Sequence, residues 1–161
     1  MTKDEFAAAV TACEKNLYLS ALSVTRNAQD AEDAVADAVC SAWERIGELR
    51  DPERFDGWLL QIALNRAAKT IKRRSRIYAD IDELKDIFAE DMDTGGIEFF
   101  DIISRFRTDE EGRRILSLRF FYDYTIAETA RIMNKPENTI KAKYYRLLEK
   151  LREQYGKEEK L

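Results

Sequence analysis

The chain has 161 residues, of which 45% are hydrophobic and 36% are charged, and its formal net charge is −4. This length accommodates one medium domain or two small ones, and the composition excludes both a disordered chain and a membrane-embedded one. Histidine, the commonest general base and metal ligand, is absent, so we expect no enzyme, no metal and no cofactor. We expect a cytoplasmic protein, because no apolar run reaches the ~20 residues of a membrane span and the N-terminus lacks a signal peptide's apolar core.

The acidic net charge conceals an alternation along the chain. Residues 51–79 carry seven basic and three acidic side chains, residues 80–111 carry three and twelve, and residues 112–161 carry twelve and seven. Phosphate binding depends on local rather than total charge. Two basic blocks on either side of an acidic block therefore indicate a nucleic-acid-binding protein.

Helical periodicity dominates and no alternating strand pattern stands out, so we predict an all-α fold. A first helix runs from Lys3 to about Val24, with Thr2 and Glu5 as its capping box. A second helix begins at Asp30, whose carboxylate suits an N-cap. This second helix is predicted to bury Ala31, Val35, Ala38, Val39, Ala42, Trp43 and Ile46.

The two cysteines, Cys13 and Cys40, lie on these two predicted helices. Reduced thiols that face the helical core are the favoured interpretation, because cysteine packs as a small apolar residue. A redox pair is the alternative.

A third helix is predicted from about Gly57 to Arg76, after a loop that contains Pro52. Its inner face recurs at the ~3.6-residue spacing of an α-helix and comprises Leu60, Ala63, Leu64, Ala67 and Ile71. Polar and basic side chains collect on the opposite face, namely Asn65, Arg66, Lys69, Arg73 and Arg76, with Trp58 and Ile62 beside them.

The acidic segment after this helix is poorly periodic and predicts a linker. Near its end a short helix over residues 97–106 is expected to dock on the C-terminal part of the chain. Thr108 and Glu111 then form a capping box that opens a helix to about Phe121. Together these patterns predict two small helical domains, residues 1–78 and 108–161, joined by a flexible acidic linker over residues 79–107.

The last third of the chain has the pattern of a helix-turn-helix motif. Thr125 and Glu128 form a capping box for a short helix that ends near Met133. A tight turn comes next at Asn134, and Pro136 suits the first turn of a second helix.

The second of these helices has two distinct faces. Ile140, Tyr144, Leu147 and Leu151 recur at helical spacing and are predicted to face inward. The outward side chains are Asn138, Thr139, Ala142, Tyr145 and Arg146, flanked by Lys141 and Lys143. A recognition helix needs such short polar or aromatic groups for base edges, with cations for phosphates. An ordinary helical hairpin with a solvated charged face is the alternative.

Several segments resemble region 2 of sigma factors: Asp30-Ala-Glu-Asp-Ala-Val-Ala-Asp-Ala-Val, Trp43, and Trp58-Leu-Leu-Gln-Ile-Ala-Leu-Asn65 with the basic run after it. Leu116-Ser-Leu-Arg119 and the helix-turn-helix resemble region 4 of the same family. The resemblance covers about Leu17 to Arg152, in the expected order and spacing. Regions 1 and 3 have no counterpart, which is similar to the two-domain extracytoplasmic function group.

This resemblance implies a role for each basic or acidic face. The acidic second helix, with Asp33, Ala36 and Asp37, matches the surface for the β′ clamp helices of core RNA polymerase. The residues implied at the −10 element are Phe55, Trp58, Asn65, Arg66, Lys72, Arg73 and Arg74. Those implied at the −35 element, from the resemblance and the helical wheel together, are Asn138, Thr139, Lys141, Lys143, Tyr145 and Arg146. An anti-sigma factor and the polymerase β flap are further implied partners.

The same features also have explanations that involve no binding function. The acidic face is also explained by solvation, and Trp58 by burial in the core. For the whole chain, a helix-turn-helix regulator with a helical sensor or dimerisation domain is the alternative to a promoter-specificity subunit, and a helical adaptor is the third hypothesis. A second basic surface with aromatics on the third helix favours the promoter-specificity subunit, because a sensor domain needs no second DNA-facing surface.

Overall fold

The computed structural model describes residues 1–73 and 94–155, and α-helices dominate this part of the chain. The α-helices are α1 (Lys3–Thr25), α2 (Ala28–Glu44), α3 (Phe55–Arg73), α4 (Thr94–Arg105), α5 (Glu110–Phe120), α6 (Ile126–Met133) and α7 (Glu137–Tyr155). Two short 3₁₀ turns, Ile46–Glu48 and Pro52–Arg54, lie between α2 and α3. The chain divides between Arg105 and Phe106 into two compact units. The all-α prediction is confirmed.

Helices α1, α2 and α3 pack against one another and form the core of the N-terminal unit. The capping box at the start of α1 is confirmed: the Thr2 hydroxyl accepts from the Glu5 amide at 3.1 Å, and the Glu5 carboxylate accepts from the Thr2 amide at 2.7 Å. The core is built from small and branched apolar side chains, including Leu17, Ala21, Leu22, Ala34, Ala38, Leu59, Leu60 and Ala63.

The start of α2 corrects one prediction. Asn27, not Asp30, is the N-cap, because Asn27 has an extended backbone and its side-chain oxygen accepts from the Asp30 amide at 2.9 Å. Arg26 immediately before it is in the left-handed region, with φ 50° and ψ 31°, and terminates α1. A single left-handed residue thus turns the chain from α1 into α2.

The two cysteines differ in environment. Cys13 is buried, and that burial, with the nearby Asp56 carboxylate, raises the pKa of its thiol to about 12. Cys40 is exposed on α2, so the expectation that both thiols face the core is wrong for Cys40. Its helix packs through alanines one and two turns apart, which leaves position 40 on the outer face.

Helix α4 packs on α1, within the N-terminal unit, rather than on the C-terminal part of the chain. Its apolar side chains Ile97, Phe100 and Ile103 are buried. The fully buried guanidinium of Arg26 forms an ion pair with Asp101 and donates a hydrogen bond to Ser104. The predicted linker, 79–107, therefore contains a packed helix at its C-terminal end, because an apolar stripe outweighs the acidic composition there. Residues 79–93 of that predicted linker, and residues 74–78 of the predicted first domain, lie outside the described residues.

In the C-terminal unit, α5, α6 and α7 surround a second core. Asp109, not Thr108, caps α5: its carboxylate accepts from the Gly112 amide at 2.8 Å. Asp109 carries the extended backbone that an N-cap requires, and Thr108 lies one residue too early. The capping box of Thr125 and Glu128 at α6 is confirmed.

Candidate nucleic-acid interface

Helices α6 and α7 form the helix-turn-helix that the sequence predicts. Asn134 ends α6 in the left-handed region, with φ 55° and ψ 47°. The Lys135 amide donates to the Ala130 carbonyl at 3.0 Å, which closes the turn. Met133 and Ile140, on either side of the turn, are both buried. Asparagine tolerates this backbone conformation because its short polar side chain bonds locally.

The two faces of α7 are confirmed. Ile140, Tyr144, Leu147 and Leu151 are buried, while Asn138, Thr139, Lys141, Ala142, Tyr145 and Arg146 are exposed. Tyr145 is 55% exposed, which makes it the most exposed large hydrophobic side chain of the described residues. Its ring contacts the buried ring of Tyr144 edge-on, with centroids 5.7 Å apart. The outer face thus offers an aromatic ring supported from beneath, with cations beside it.

Lys143 differs from the other predicted contacts because it is half-buried and already paired. Its Nζ lies 2.8 Å from Asp109 Oδ2 and 3.8 Å from Glu111 Oε1. Lys135 Nζ, from the turn, lies 2.9 Å from Glu111 Oε2. The hydrogen bond from Lys143, followed by that from the Gly112 amide, lowers the pKa of Asp109. The hydrogen bond from Lys135 likewise lowers the pKa of Glu111.

Arg119 on α5 supports α7 from the inner side, a role that the sequence pattern does not indicate. Its guanidinium lies 5.0 Å from the centre of the Tyr144 ring, and it donates to the Tyr124 carbonyl. Phe120 contacts the same ring, with centroids 6.2 Å apart. Arg119 and Tyr144 are 25 positions apart and lie on different helices, so no local sequence pattern indicates their contact.

The exposed side of α3 carries the second predicted surface. Asn65 and Arg73 are exposed, as the helical wheel predicts, and so is Lys72, which the resemblance implies. Arg66 is half-buried and donates to the Ser41 hydroxyl at 3.3 Å, which ties α3 to α2. Arg74 lies outside the described residues.

The aromatic residues near α3 divide between core and surface. Phe55 is 3% exposed and its ring lies 5.6 Å from that of Phe6, so its predicted contact with the −10 element does not fit its burial. Trp58 is half-buried, with its ring 6.4 Å from Phe55. Trp43, predicted as core, is 40% exposed because Phe6, 5.1 Å from its ring, occupies the inner position.

The acidic face of α2 is exposed as predicted. Asp33, Ala36 and Asp37 all lie on the surface, and Gln29 donates to the Asp33 carboxylate at 3.0 Å. Among the described residues no group of three or more cysteine or carboxylate side chains is placed to hold a metal ion. Nor is any helix in residues 1–73 or 94–155 long and apolar enough to cross a membrane.

Comparison with known proteins identifies two family regions in the chain. The Sigma-70 region 2 model matches residues 9–77, and the Sigma-70, region 4 model matches residues 109–153. RNA polymerase sigma factor SigV of Bacillus subtilis is 28% identical over 164 residues, covering 98% of this chain and 95% of that protein. The ECF RNA polymerase sigma factor SigW of the same bacterium is 23% identical, covering 94% and 89%.

A solved structure has a similar fold. It is the co-crystal structure of the sigma factor RpoE in complex with the anti-sigma factor NepR from Bartonella quintana, with a TM-score of 0.57 and 17% identity, covering 96% of this chain and 99% of that chain. The two family models together match well over half of this chain, in the same order as the two structural units. The chain therefore belongs to the sigma-70 family of RNA polymerase sigma factors and is of the extracytoplasmic function type.

Proposed function

We propose that this sigma factor directs core RNA polymerase to promoters by docking α7 on the −35 element and α3 on the −10 element. The observation that carries the proposal is the outer face of α7, where Asn138, Tyr145 and Arg146 are exposed on a helix fixed by a tight turn. Polar and aromatic groups of this size reach base edges in the major groove, while flanking cations bind phosphates. The protein contributes binding and no chemistry of its own.

The −10 surface rests on the combination of Trp58 with the cations of α3. Opening a promoter requires a protein to hold unstacked bases on a single strand, which aromatic rings beside cations do. Trp58 is half-exposed, and Asn65, Lys72 and Arg73 lie on the open side of the same helix. Phe55, which is buried, acts by supporting Trp58 from the core rather than by touching DNA.

Partner surfaces are proposed from the family and from charge. The exposed acidic face at Asp33, Ala36 and Asp37 is suited to a basic surface of core polymerase, here the β′ clamp helices, through complementary potentials. The β flap is the proposed partner of the C-terminal unit. Because the similar solved structure contains an anti-sigma factor, an anti-sigma partner is proposed for this chain as well.

Run-off transcription with purified core polymerase tests the proposal. Selection of random duplexes with the reconstituted holoenzyme supplies the promoter template. We expect a transcript with a defined start only when the full-length chain is added. The charge-reversed variant Asp33→Lys/Asp37→Lys should lose transcription while retaining the melting behaviour of the wild type. Transcription that this variant leaves intact would contradict the assignment of α2 to core polymerase.

The alternative function is a helix-turn-helix regulator that binds DNA without polymerase. Sequence-specific binding by the chain alone, with no initiation after core polymerase is added, would favour that function. The exposed cations of α3 argue against it, because a sensor or dimerisation domain gains nothing from a second basic surface next to a half-exposed tryptophan.

A further inference from the structure

Four charged side chains form a compact cluster at the edge of the helix-turn-helix. Lys143 Nζ lies 2.8 Å from Asp109 Oδ2 and 3.8 Å from Glu111 Oε1, and Lys135 Nζ lies 2.9 Å from Glu111 Oε2. Two cations and two carboxylates make the cluster formally neutral. Both carboxylates come from the start of α5, while the lysines come from the turn and from α7. The cluster thus binds the recognition helix to α5 through charge.

The other cations on the outer face of α7 differ from Lys143 in exposure and in ion pairing. Lys141 and Arg146 are exposed, and within the described ranges no ion pair involves either of them. Lys143 lies two residues from Lys141 on the same helix, but its side chain is only 21% exposed. The recognition helix therefore carries two exposed cations, Lys141 and Arg146, that no carboxylate of the described residues neutralises, whereas the charge of Lys143 is already neutralised.

Carboxylates and phosphates are chemically alternative partners for an ammonium group. A protein gains sequence-independent affinity for DNA by placing lysines against phosphates and releasing counterions. A lysine held by a carboxylate adds little to this affinity, because the two charges cancel at the distance of the DNA backbone. Base readout, which depends on geometry rather than net charge, is unaffected by such cancellation.

We propose that Asp109 and Glu111 are specificity-determining residues that act as an internal substitute for DNA phosphate. By neutralising Lys143 and Lys135, they lower the affinity of the C-terminal unit for DNA of any sequence. The unit then depends on base contacts and on the polymerase for stable binding. This inference rests on the proposed docking of α7 on DNA, and it changes the role of Lys143 from a phosphate contact to a compensated charge.

The test compares two substitutions that each remove one carboxylate charge from the same unit. Asp109→Asn keeps an N-cap for α5, because asparagine caps as well as aspartate does. Asp123→Asn is the matched control: Asp123 is exposed, and its left-handed backbone at φ 57° suits asparagine. Binding of the holoenzyme to the selected promoter duplex and to a scrambled duplex of equal length is measured between about 50 and 200 mM salt.

We expect Asp109→Asn to bind the scrambled duplex several-fold more tightly and to steepen the slope of log K against log salt by about 0.9, the value for one further phosphate contact. Discrimination between the two duplexes should fall. Glu111→Gln should act in the same direction, through both lysines. Asp123→Asn should leave the slope within error of the wild type. An unchanged or shallower slope for Asp109→Asn would overturn the proposal, because the carboxylate would then orient the lysine for DNA.

The double variant Asp109→Asn/Lys143→Gln removes both charges of one pair and gives an independent check. We expect it to return to the wild-type slope and affinity. Weaker binding than wild type would show that Lys143 already contacts a phosphate, which also overturns the proposal. The proposed function fails separately, if Arg146→Ala changes binding to neither duplex; in that case α7 is not the DNA-binding helix.

Discussion

The two units of this sigma factor differ in what decides which side chains reach the surface. In the C-terminal unit, the period of α7 alone separates exposed Tyr145 from buried Tyr144. In the N-terminal unit, Phe55 begins the helix that carries the exposed cations, yet it is buried against Phe6 from α1. The two tyrosines of α7 thus follow the period of their own helix, whereas Phe55 is covered by an element distant in the sequence.

The largest expected effect comes from removing the long-range contact at Phe55. Phe55→Ala leaves a cavity beside Phe6 and should lower the free energy of unfolding of the N-terminal unit by about 3–5 kcal/mol. Both tryptophans of the chain, Trp43 and Trp58, lie in this unit, so denaturant unfolding followed by tryptophan fluorescence reports on it selectively.

Trp58→Phe is the control for this substitution. The half-exposed position keeps an aromatic ring, so the free energy of unfolding of the N-terminal unit should change by less than about 1 kcal/mol. Trp43 remains as the fluorescent reporter. If Phe55→Ala proves as mild as Trp58→Phe, Phe55 does not hold the core, and its predicted contact with DNA would regain support.

The second effect concerns the ion pair that holds α4 to α1. Asp101→Asn removes the carboxylate that pairs with the fully buried Arg26 guanidinium and should cost about 3 kcal/mol in the free energy of opening of α4. Amide hydrogen exchange over residues 94–105 measures this opening directly. Arg26→Met is the informative comparison, because Asp101 keeps its 3.2 Å pair with Arg105. A larger cost for Arg26→Met than for Asp101→Asn would contradict the account.

Base readout by α7 gives the third effect. If Arg146 contacts a base edge, Arg146→Ala should cost roughly 1–3 kcal/mol at a single −35 position and relax the preference there. Competition binding of the holoenzyme to duplexes that differ at one base pair measures this loss. Lys141→Ala should instead weaken all the duplexes alike and reduce the salt slope by about 1. Uniform weakening by Arg146→Ala would place it at a phosphate.

Local signals explain most of what the sequence predicted correctly. The capping boxes at Thr2 and Thr125 depend on groups three residues apart, and the inward face of α7 depends on one helical period. Neutralised Lys143 could not be predicted in this way, because its partner Asp109 is 34 positions away. The burial of Phe55 could not be predicted for the same reason, because its partner Phe6 lies on another helix.

The smallest expected effect tests whether local capping interactions determine where the helices of the C-terminal unit begin. Thr125→Ala removes the hydroxyl that accepts from the Glu128 amide at 3.1 Å, so α6 should lose about 1 kcal/mol. Thr108→Ala is its counterpart at α5, where the sequence predicts an equal cap but Asp109 occupies that position. We expect little change from Thr108→Ala in the exchange protection of residues 110–120. Equal losses from both substitutions would mean that the threonine pattern, rather than the extended backbone of Asp109, determines where α5 begins.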